Sequence, residues 1–296
     1  MYFKIEKAHL YYFFYIMPLY KIAIITCWYG PYPWYFPYFI HSCKFNPTID
    51  FIIITDNQQV IPIKPENVIL IYKEIEDIIR IATLKMGFKV IIKNAYKLCD
   101  FKPAYGIIFS DILEKYDFWG HGDIDLVYGD IRGFITTEIL DEFEIVSSRH
   151  DYITGSFALY KNTDKIRRLF QHSRDYKKVF TDNEHYCFDE CSFLFEHLNK
   201  GVSVLDFPEI TQSMTYVVKK MQVEGKLKAF FDFIIIEGSP GDIRWEQGKI
   251  IYKNTYECMF YHLIKFKVDC KKQTVLIPIP SKFHFSEDNI HIISPN

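Results

Sequence analysis

The sequence carries almost no net charge: 35 lysines and arginines face 37 aspartates and glutamates, leaving −2 at neutral pH. So balanced a chain has no overall field to hold a nucleic-acid backbone or an anionic membrane, and no nucleic-acid partner is expected. Cysteine is sparse and unpatterned. Its seven copies are odd in number and never form a CxxC pair. That fits reduced thiols in a cytoplasmic protein better than a disulfide frame or a zinc site. Repeats and low-complexity tracts are absent, as are the GxGxxG, GxxxxGK(S/T) and HExxH patterns, which argues against a dinucleotide enzyme, a P-loop NTPase and a zincin. The run GHGDID comes near the first of these but has Asp125 where the last glycine belongs.

Charge is also scarce locally. Between Lys7 and Lys44 the one charged residue is Lys21, so a membrane span has to be weighed. Pro18, Gly30, Pro31, Pro33 and Pro37 interrupt any helix of the roughly 20 apolar residues a bilayer requires. No basic n-region with a small-residue cleavage site precedes the fold, so a secretory signal is not expected. Residues 1–16 read as a non-native extension ahead of Met17. The aromatic run Tyr11 to Tyr15 is a candidate for peripheral membrane contact or, alternatively, for packing against the body.

What the chain does have is core material. It holds 27 phenylalanines, 22 tyrosines and 4 tryptophans, with 49% hydrophobic against 24% charged residues, which excludes disorder and collagen-like repeats. Its 296 residues lie near the limit of about 250 to 300 at which single cores stop growing, so one compact body is expected.

Residues 21–27 and 49–55 are apolar runs of the kind that form buried parallel strands, and 34–45 has the length for a helix between them. A third strand is expected over 68–72, a helix over 75–86 ending at Gly87, and another helix over 101–115 before a loop-like WGHGDID. Further on, strands are expected over 143–148 and 156–161, and helices over 163–174 and 182–199, the latter with a capping box from Thr181 to Glu184. Residues 202–207, 249–252 and 256–266 read mostly as strand. This alternation predicts an α/β sheet with helices on both faces.

The stretch Trp119-Gly120-His121-Gly122-Asp123-Ile124-Asp125 carries the most chemistry. Its glycines allow a bend that lets both carboxylates reach one ion, and hard oxygen ligands suit Mg²⁺ or Mn²⁺ bridging a diphosphate. A solvated turn is the alternative for so short a pattern. The position, after an α/β half where ligands collect at the carboxyl ends of strands, favours the site.

With strands KIAIITCWYG and IDFIIITDN, then KLCDFKPAYG leading into DFWGHGDIDLVYGDIRGF, the chain from about Lys21 to about Lys267 resembles GT-A glycosyltransferases. It particularly resembles bacterial capsule and lipopolysaccharide glycosyltransferase-like proteins. The resemblance implies a Rossmann-like mixed sheet in a single domain: an extension (1–20), a nucleotide-sugar-binding half (21–135), an acceptor-side half completing the metal site (136–270) and a tail (271–296). It also implies that Asp123 and Asp125 hold the metal, with Asp123 touching the nucleotide. Lys97, Asp100 and Lys102 resemble a Lys, Asp and Arg set that contacts donor sugar and nucleotide in glycogenin-like enzymes. Lys102 in place of arginine loses bidentate geometry, and a surface helix cap explains Asp100 equally well.

Near the other end, Tyr261-His262-Leu263-Ile264-Lys265-Phe266-Lys267 resembles that family's late His and Lys, without its following Gly and Lys-Pro-Trp. This implies His262 as a metal ligand and Lys265 on the leaving phosphate, although an ordinary core or surface histidine is the alternative. Thr26, Trp28 and Tyr29 end the first strand and Asp56 the second. They are candidates for stacking and accepting from a base, or simply for packing and a turn. Asp189 and Glu190 are expected on a helix at opposite azimuths, where at most one need enter a cleft as catalytic base. The loop holding His150, Asp151, Thr154 and Gly155 is the candidate acceptor side.

Three functions fit. The first is a metal-dependent glycosyltransferase moving a sugar from a nucleotide-sugar donor, a UDP-sugar, to a glycan or glycolipid hydroxyl. The second is a haloacid-dehalogenase-like phosphatase using Asp123 and Asp125, and the third a non-catalytic carbohydrate-binding protein.

Overall fold

The structure is a computed structural model, and it describes residues 19–232, 234–270 and 275–292. The Tyr11 to Tyr15 segment lies outside the described residues. Among them, no helix is long and apolar enough to cross a membrane.

Strand β1 (Ile22–Trp28) is followed by helix α1 (Phe36–Cys43), strands β2 (Ile49–Thr55) and β3 (Val68–Tyr72) and helix α2 (Ile75–Met86). Then come β4 (Phe118–Gly122), β5 (Leu126–Tyr128), β6 (Ile145–Ser147), β7 (Phe157–Lys161) and β8 (Ala229–Phe231). A seven-stranded sheet runs in the order β3-β2-β1-β4-β7-β6-β8. Only β7 is antiparallel to its neighbours β4 and β6; the other pairings are parallel. This is the expected α/β class, a mixed sheet with helices on both faces.

Side chains of a strand alternate between faces, and here each face meets its own core. Ile22, Ile24, Phe51, Ile53 and Phe118 pack with α1 on one side. Ala23, Ile25, Ile52, Ile54 and Trp119 pack with α2 and the helix Met214–Val223 on the other. There the rings of Trp119 and Tyr160 stack at 4.5 Å; burying rings of this size contributes roughly 4 to 6 kcal/mol each before entropy is counted. Helix α2 matches its expected bounds. The Asp77 carboxylate accepts from the Glu74 N–H at 3.3 Å, and Gly87 closes the helix at φ +77°, a left-handed conformation natural to glycine.

The remaining strands are β9 (Ile235–Ile236), β10 (Ile243–Glu246), β11 (Lys249–Tyr252), β12 (Tyr256–Cys258), β13 (Phe260–His262), β14 (Lys282–Phe285) and β15 (Ile290–Ile292). They form a five-stranded antiparallel sheet, β12-β11-β10-β14-β15, and a three-stranded one, β5-β13-β9.

Four expectations are corrected. WGHG is not a loop but most of β4, in the sheet centre. Its backbone is paired on both sides by β1 and β7, so pairing overrides the glycines' loop propensity. The 101–115 helix is broken into short turns at 98–101, 102–104, 105–108 and 110–113; Pro103, which has no amide to continue the ladder, sits in the 3-10 turn at 102–104. Residues 202–207 hold a 3-10 turn, Val204–Asp206, rather than a strand.

The helix expected over 182–199 survives only as Phe195–Asn199. Upstream, the backbone finds other partners. The N–H groups of Tyr186 and Phe188 bond the Asp100 carboxylate, and the carbonyls of Phe188 and Glu190 accept from Met214 and Thr215. With those groups satisfied elsewhere, no helix is needed.

Candidate functional site

The link between β4 and β5 carries Asp123, Ile124 and Asp125. The Asp123 N–H bonds the Ser156 carbonyl at 2.9 Å, and the Asp125 carbonyl accepts from Leu263 N at 2.9 Å, so the residue just before β7 and the one just after β13 hold the bend from two sides. Ile124 is buried in the core. The acids on either side of it converge, and His262 at the end of β13 joins them. One ligand atom from each of Asp123, Asp125 and His262 lies within 4.8 Å of the others. Gly122 is needed just before the bend: a Cβ there would stand 2.6 Å from the Tyr128 hydroxyl and 2.8 Å from Ile24 Cγ2.

Cations already face these acids. Lys102 Nζ is 2.6 Å from Asp123 Oδ1 and donates to the Gly155 carbonyl at 2.7 Å. Burial would lower its pKa, but the Asp123 charge outweighs this and holds it well above the usual lysine value. Lys267 Nζ is 2.6 Å from Asp125 Oδ2. Burial opposes ionisation of Asp125, yet the hydrogen bonds and charges of His262 and Lys267 keep it below the usual carboxylate range. His262 is likewise desolvated, but Asp125 and Glu237 push its pKa up to about 9.

Asp189 and Glu190 do not sit on opposite sides of a helix. They lie in a turn, and both face the Gly155 backbone. Glu190 Oε1 accepts from Gly155 N at 2.7 Å, and Asp189 Oδ2 is 3.7 Å from Lys102 Nζ. Burial raises the pKa of Asp189 well above normal despite Lys102, and raises that of Glu190 despite the Gly155 amide and Lys102. Lys102 thus links the Asp-x-Asp bend to this second acidic pair.

Lys97 and Asp100 lie beneath that turn. Both are buried, with Lys97 Nζ 2.9 Å from Asp100 Oδ2. Asp100 accepts from the N–H groups of Tyr186 at 3.0 Å and Phe188 at 2.9 Å, and His185 Nδ1 stands 3.3 Å away. Lys97 also donates to the Glu184 carbonyl at 2.5 Å. The pair anchors the strand of chain leading to Asp189 and Glu190.

At the carboxyl end of β1, Thr26 is buried and its hydroxyl donates to the Gly122 carbonyl at 2.7 Å. Trp28 Nε1 donates to Pro31 O at 3.1 Å, and Tyr29 packs partly buried against the second core. Asp56 Oδ1 accepts from Gly30 N at 2.8 Å, and Asn57 bonds the Gly30 carbonyl at 3.0 Å. An open hollow of about 530 Å³ is lined by Gly30, Pro31, Asp56, Asn57, Gln58 and Gln59. A separate apolar hollow of about 430 Å³ lies against α1, lined among others by Tyr32, Phe36, Ile61 and Ile279 and by none of the site's acids.

On the acceptor-side loop, His150 is exposed and Asp151 is gripped by Arg149 through two bonds of 2.8 Å. Thr154 is buried with its hydroxyl 2.7 Å from that of Ser156. The Lys265 side chain pairs with Asp269, whereas Lys267 reaches the acids. Two residues not singled out from the sequence therefore join the site: Lys267, which the spacing from His262 could have offered, and Glu237, for which the sequence carried no signal.

No curated protein matches the sequence. Among solved structures, the chain is similar to the galactosyltransferase LgtC in complex with donor and acceptor sugar analogs, at 14% identity and a TM-score of 0.32, over 55% of this chain and 66% of that chain. It is also similar to an active-site mutant of LgtC, at 13% identity and a TM-score of 0.34, over the same shares. The chain spans just under two thirds of the length of either. A family model covers nearly the whole chain, residues 24–291, and by that match the protein belongs to the family described as "Family of unknown function (DUF6625)".

Proposed function

We propose that the chain is a metal-dependent glycosyltransferase of GT-A type that takes a sugar from a nucleotide-sugar donor, a UDP-sugar, to a glycan or glycolipid hydroxyl. One observation carries the reading: Asp123, Asp125 and His262 meet within 4.8 Å at the carboxyl end of β4, where open α/β sheets place their ligands. Two carboxylates and one imidazole suit Mn²⁺ or Mg²⁺. Held by these three, such an ion would offset the charge growing on a departing diphosphate.

The chain's own groups supply the rest. In the transfer, the acceptor oxygen bonds to the anomeric carbon, the bond from that carbon to the phosphate oxygen breaks, and the nucleoside diphosphate leaves with the electron pair. Lys267 and Lys102 add fixed positive charge beside the acids. Lys265, more exposed and paired with Asp269, stands further from that role. Asp189 and Glu190 are the candidate acceptors of the hydroxyl proton; burial raises the pKa of both, which strengthens each as a base when ionised and lowers the fraction that is ionised. Thr26, Trp28, Tyr29 and Asp56 border the base side, Lys97 and Asp100 support the acidic turn, and His150, Asp151, Thr154 and Gly155 border the acceptor side.

A thermal-shift panel of nucleoside diphosphate sugars with and without Mn²⁺ tests the reading. A metal-dependent shift with one base and sugar is expected, and no shift with any donor sinks it. So does an Asp125→Ala variant that keeps normal metal-dependent transfer or donor hydrolysis.

One observation favours the phosphatase alternative. β4 supplies the buried strand that an attacking Asp123 would follow. That chemistry has no use for His262 beside Asp125, and trapping Asp123 with beryllium fluoride would revive it.

A further inference from the structure

We infer that Glu237 is a positioning residue of this site, holding His262 by Nδ1 so that Nε2 faces Asp125. The inference rests on the metal-site reading above. β9 pairs in parallel with β13, Ile235 opposite Phe260 and Ile236 opposite Tyr261, so the next residue of each strand, Glu237 and His262, come side by side. On the other edge of β13, Leu126 of β5 stands opposite His262, one residue past Asp125. The three-stranded sheet thus lines up an acid, the imidazole and a second acid across its strands.

The contacts follow that register. Glu237 Oε1 is 3.2 Å from His262 Nδ1. An ionised carboxylate can only accept, so Nδ1 carries a proton, and the Nε2 proton, held by Asp125 in the absence of an ion, is the one a bound metal would displace. Nε2 then faces Asp125 Oδ2 at 3.5 Å. The other Glu237 oxygen accepts from Arg149 Nη1 at 2.8 Å. Arg149 is fixed in turn by Asp151 and by Asn199 Oδ1 at 2.9 Å, and it lies 4.6 Å over the Tyr152 ring.

A carboxylate tied at both oxygens has little rotational freedom and passes that constraint to the imidazole. An incidental surface pair is the alternative, but the side chains of Glu237 and Arg149 are only 28% and 10% exposed. Carboxylates standing behind a metal-bound histidine typically change metal affinity by about 10- to 100-fold when removed.

The test uses Mn²⁺ alone, titrated into the full chain and into Glu237→Gln and Asp125→Asn variants, with free Mn²⁺ read by electron paramagnetic resonance. Glutamine keeps the size and an acceptor oxygen but loses the charge. Glu237→Gln is expected to weaken Mn²⁺ binding about 10- to 100-fold. A loss under about threefold, while Asp125→Asn abolishes binding, overturns the role of Glu237 and leaves the site standing. If Asp125→Asn also binds normally, the metal-site reading itself falls, and Glu237 with it. Nitrogen-15 NMR of the wild-type His262 ring at saturating Mg²⁺ needs no variant to fold. It should show Nδ1 protonated and Nε2 bare, and the opposite tautomer overturns the inference.

Discussion

Lys267 Nζ lies 2.6 Å from Asp125 Oδ2, the same oxygen that His262 Nε2 faces at 3.5 Å. An ammonium thus competes for the carboxylate assigned to the metal. Lys267→Met should tighten binding of Mn²⁺ alone by about three- to tenfold, since a hydrogen bond between charged groups is worth about 1.5 to 3 kcal/mol and part of that is recovered. In the same variant, UDP binding at saturating Mn²⁺ should weaken by a similar factor, because a fixed positive charge near the diphosphate is gone. Calorimetry reads both affinities, and movement of the two in the same direction contradicts the arrangement.

Acid should loosen the turn that carries Asp189 and Glu190. Burial would raise the Asp100 pKa, but His185, the amides of Phe188 and Tyr186 and the Lys97 ammonium outweigh it and depress it. The folded value therefore lies below the unfolded one of about 3.9. Its stabilisation is complete above the unfolded pKa and fades as pH falls through the folded one. Asp100→Asn should cost about 3 to 5 kcal/mol at pH 7, as for a broken buried pair. That deficit should shrink steadily below about pH 4, which urea denaturation at several pH values measures. A constant deficit from pH 7 to pH 2 would argue against the assignment.

The opposite sign holds at Asp189. Burial raises its folded pKa, so ionisation at neutral pH works against the fold. Asp189→Asn should raise the thermal midpoint at pH 7, by about 1 to 2 kcal/mol of stability from relief of a costly buried charge. The gain should vanish as pH falls below about 4, where the unfolded carboxyl also protonates. Sugar transfer should drop at least about tenfold in this variant. A variant that is both less stable and fully active would refute both halves.

Gly155 leaves no room for a side chain. A Cβ there would fall 2.5 Å from Asp189 Oδ2 and 3.1 Å from Glu190 Cδ, so Gly155→Ala must displace the acidic pair. A cost of about 1 to 3 kcal/mol is expected, with a larger fractional loss in kcat than in donor affinity. Denaturation midpoints and steady-state kinetics separate these effects, and a neutral outcome would mean that the turn is loosely held.

Much of the sheet is legible in the sequence because its strands are buried on both faces and read as unbroken apolar runs: Ile22 to Ile25 and Phe51 to Ile54 need no context. The glycine-flanked acids Asp123 and Asp125 are also visible, since residue type and local geometry agree. Less legible is whatever depends on distant partners. The helix expected over 182–199 is locally reasonable, but Asp100 takes the amides of Tyr186 and Phe188. That capture involves residues more than 80 positions away. Lys97 and Asp100 are recognisable as polar candidates, while their complete burial is not. Glu237 is invisible in sequence because its role arises from the parallel pairing of two short strands.

The β5-β13-β9 sheet has a consequence for the order in which the site comes into being. Asp123 and Asp125 emerge well ahead of Glu237 and His262, with β10 to β12 made between those two and β14 and β15 still to follow, and closing contacts across so long an intervening chain carries a loop-entropy cost. A nascent or truncated chain ending before β13 would hold the paired acids and Lys102 without the imidazole. If the three groups hold an ion as proposed, Mn²⁺ added during refolding should bind with the step that docks β13 rather than with collapse of the first half, and so report the closing of the β5-β13-β9 sheet.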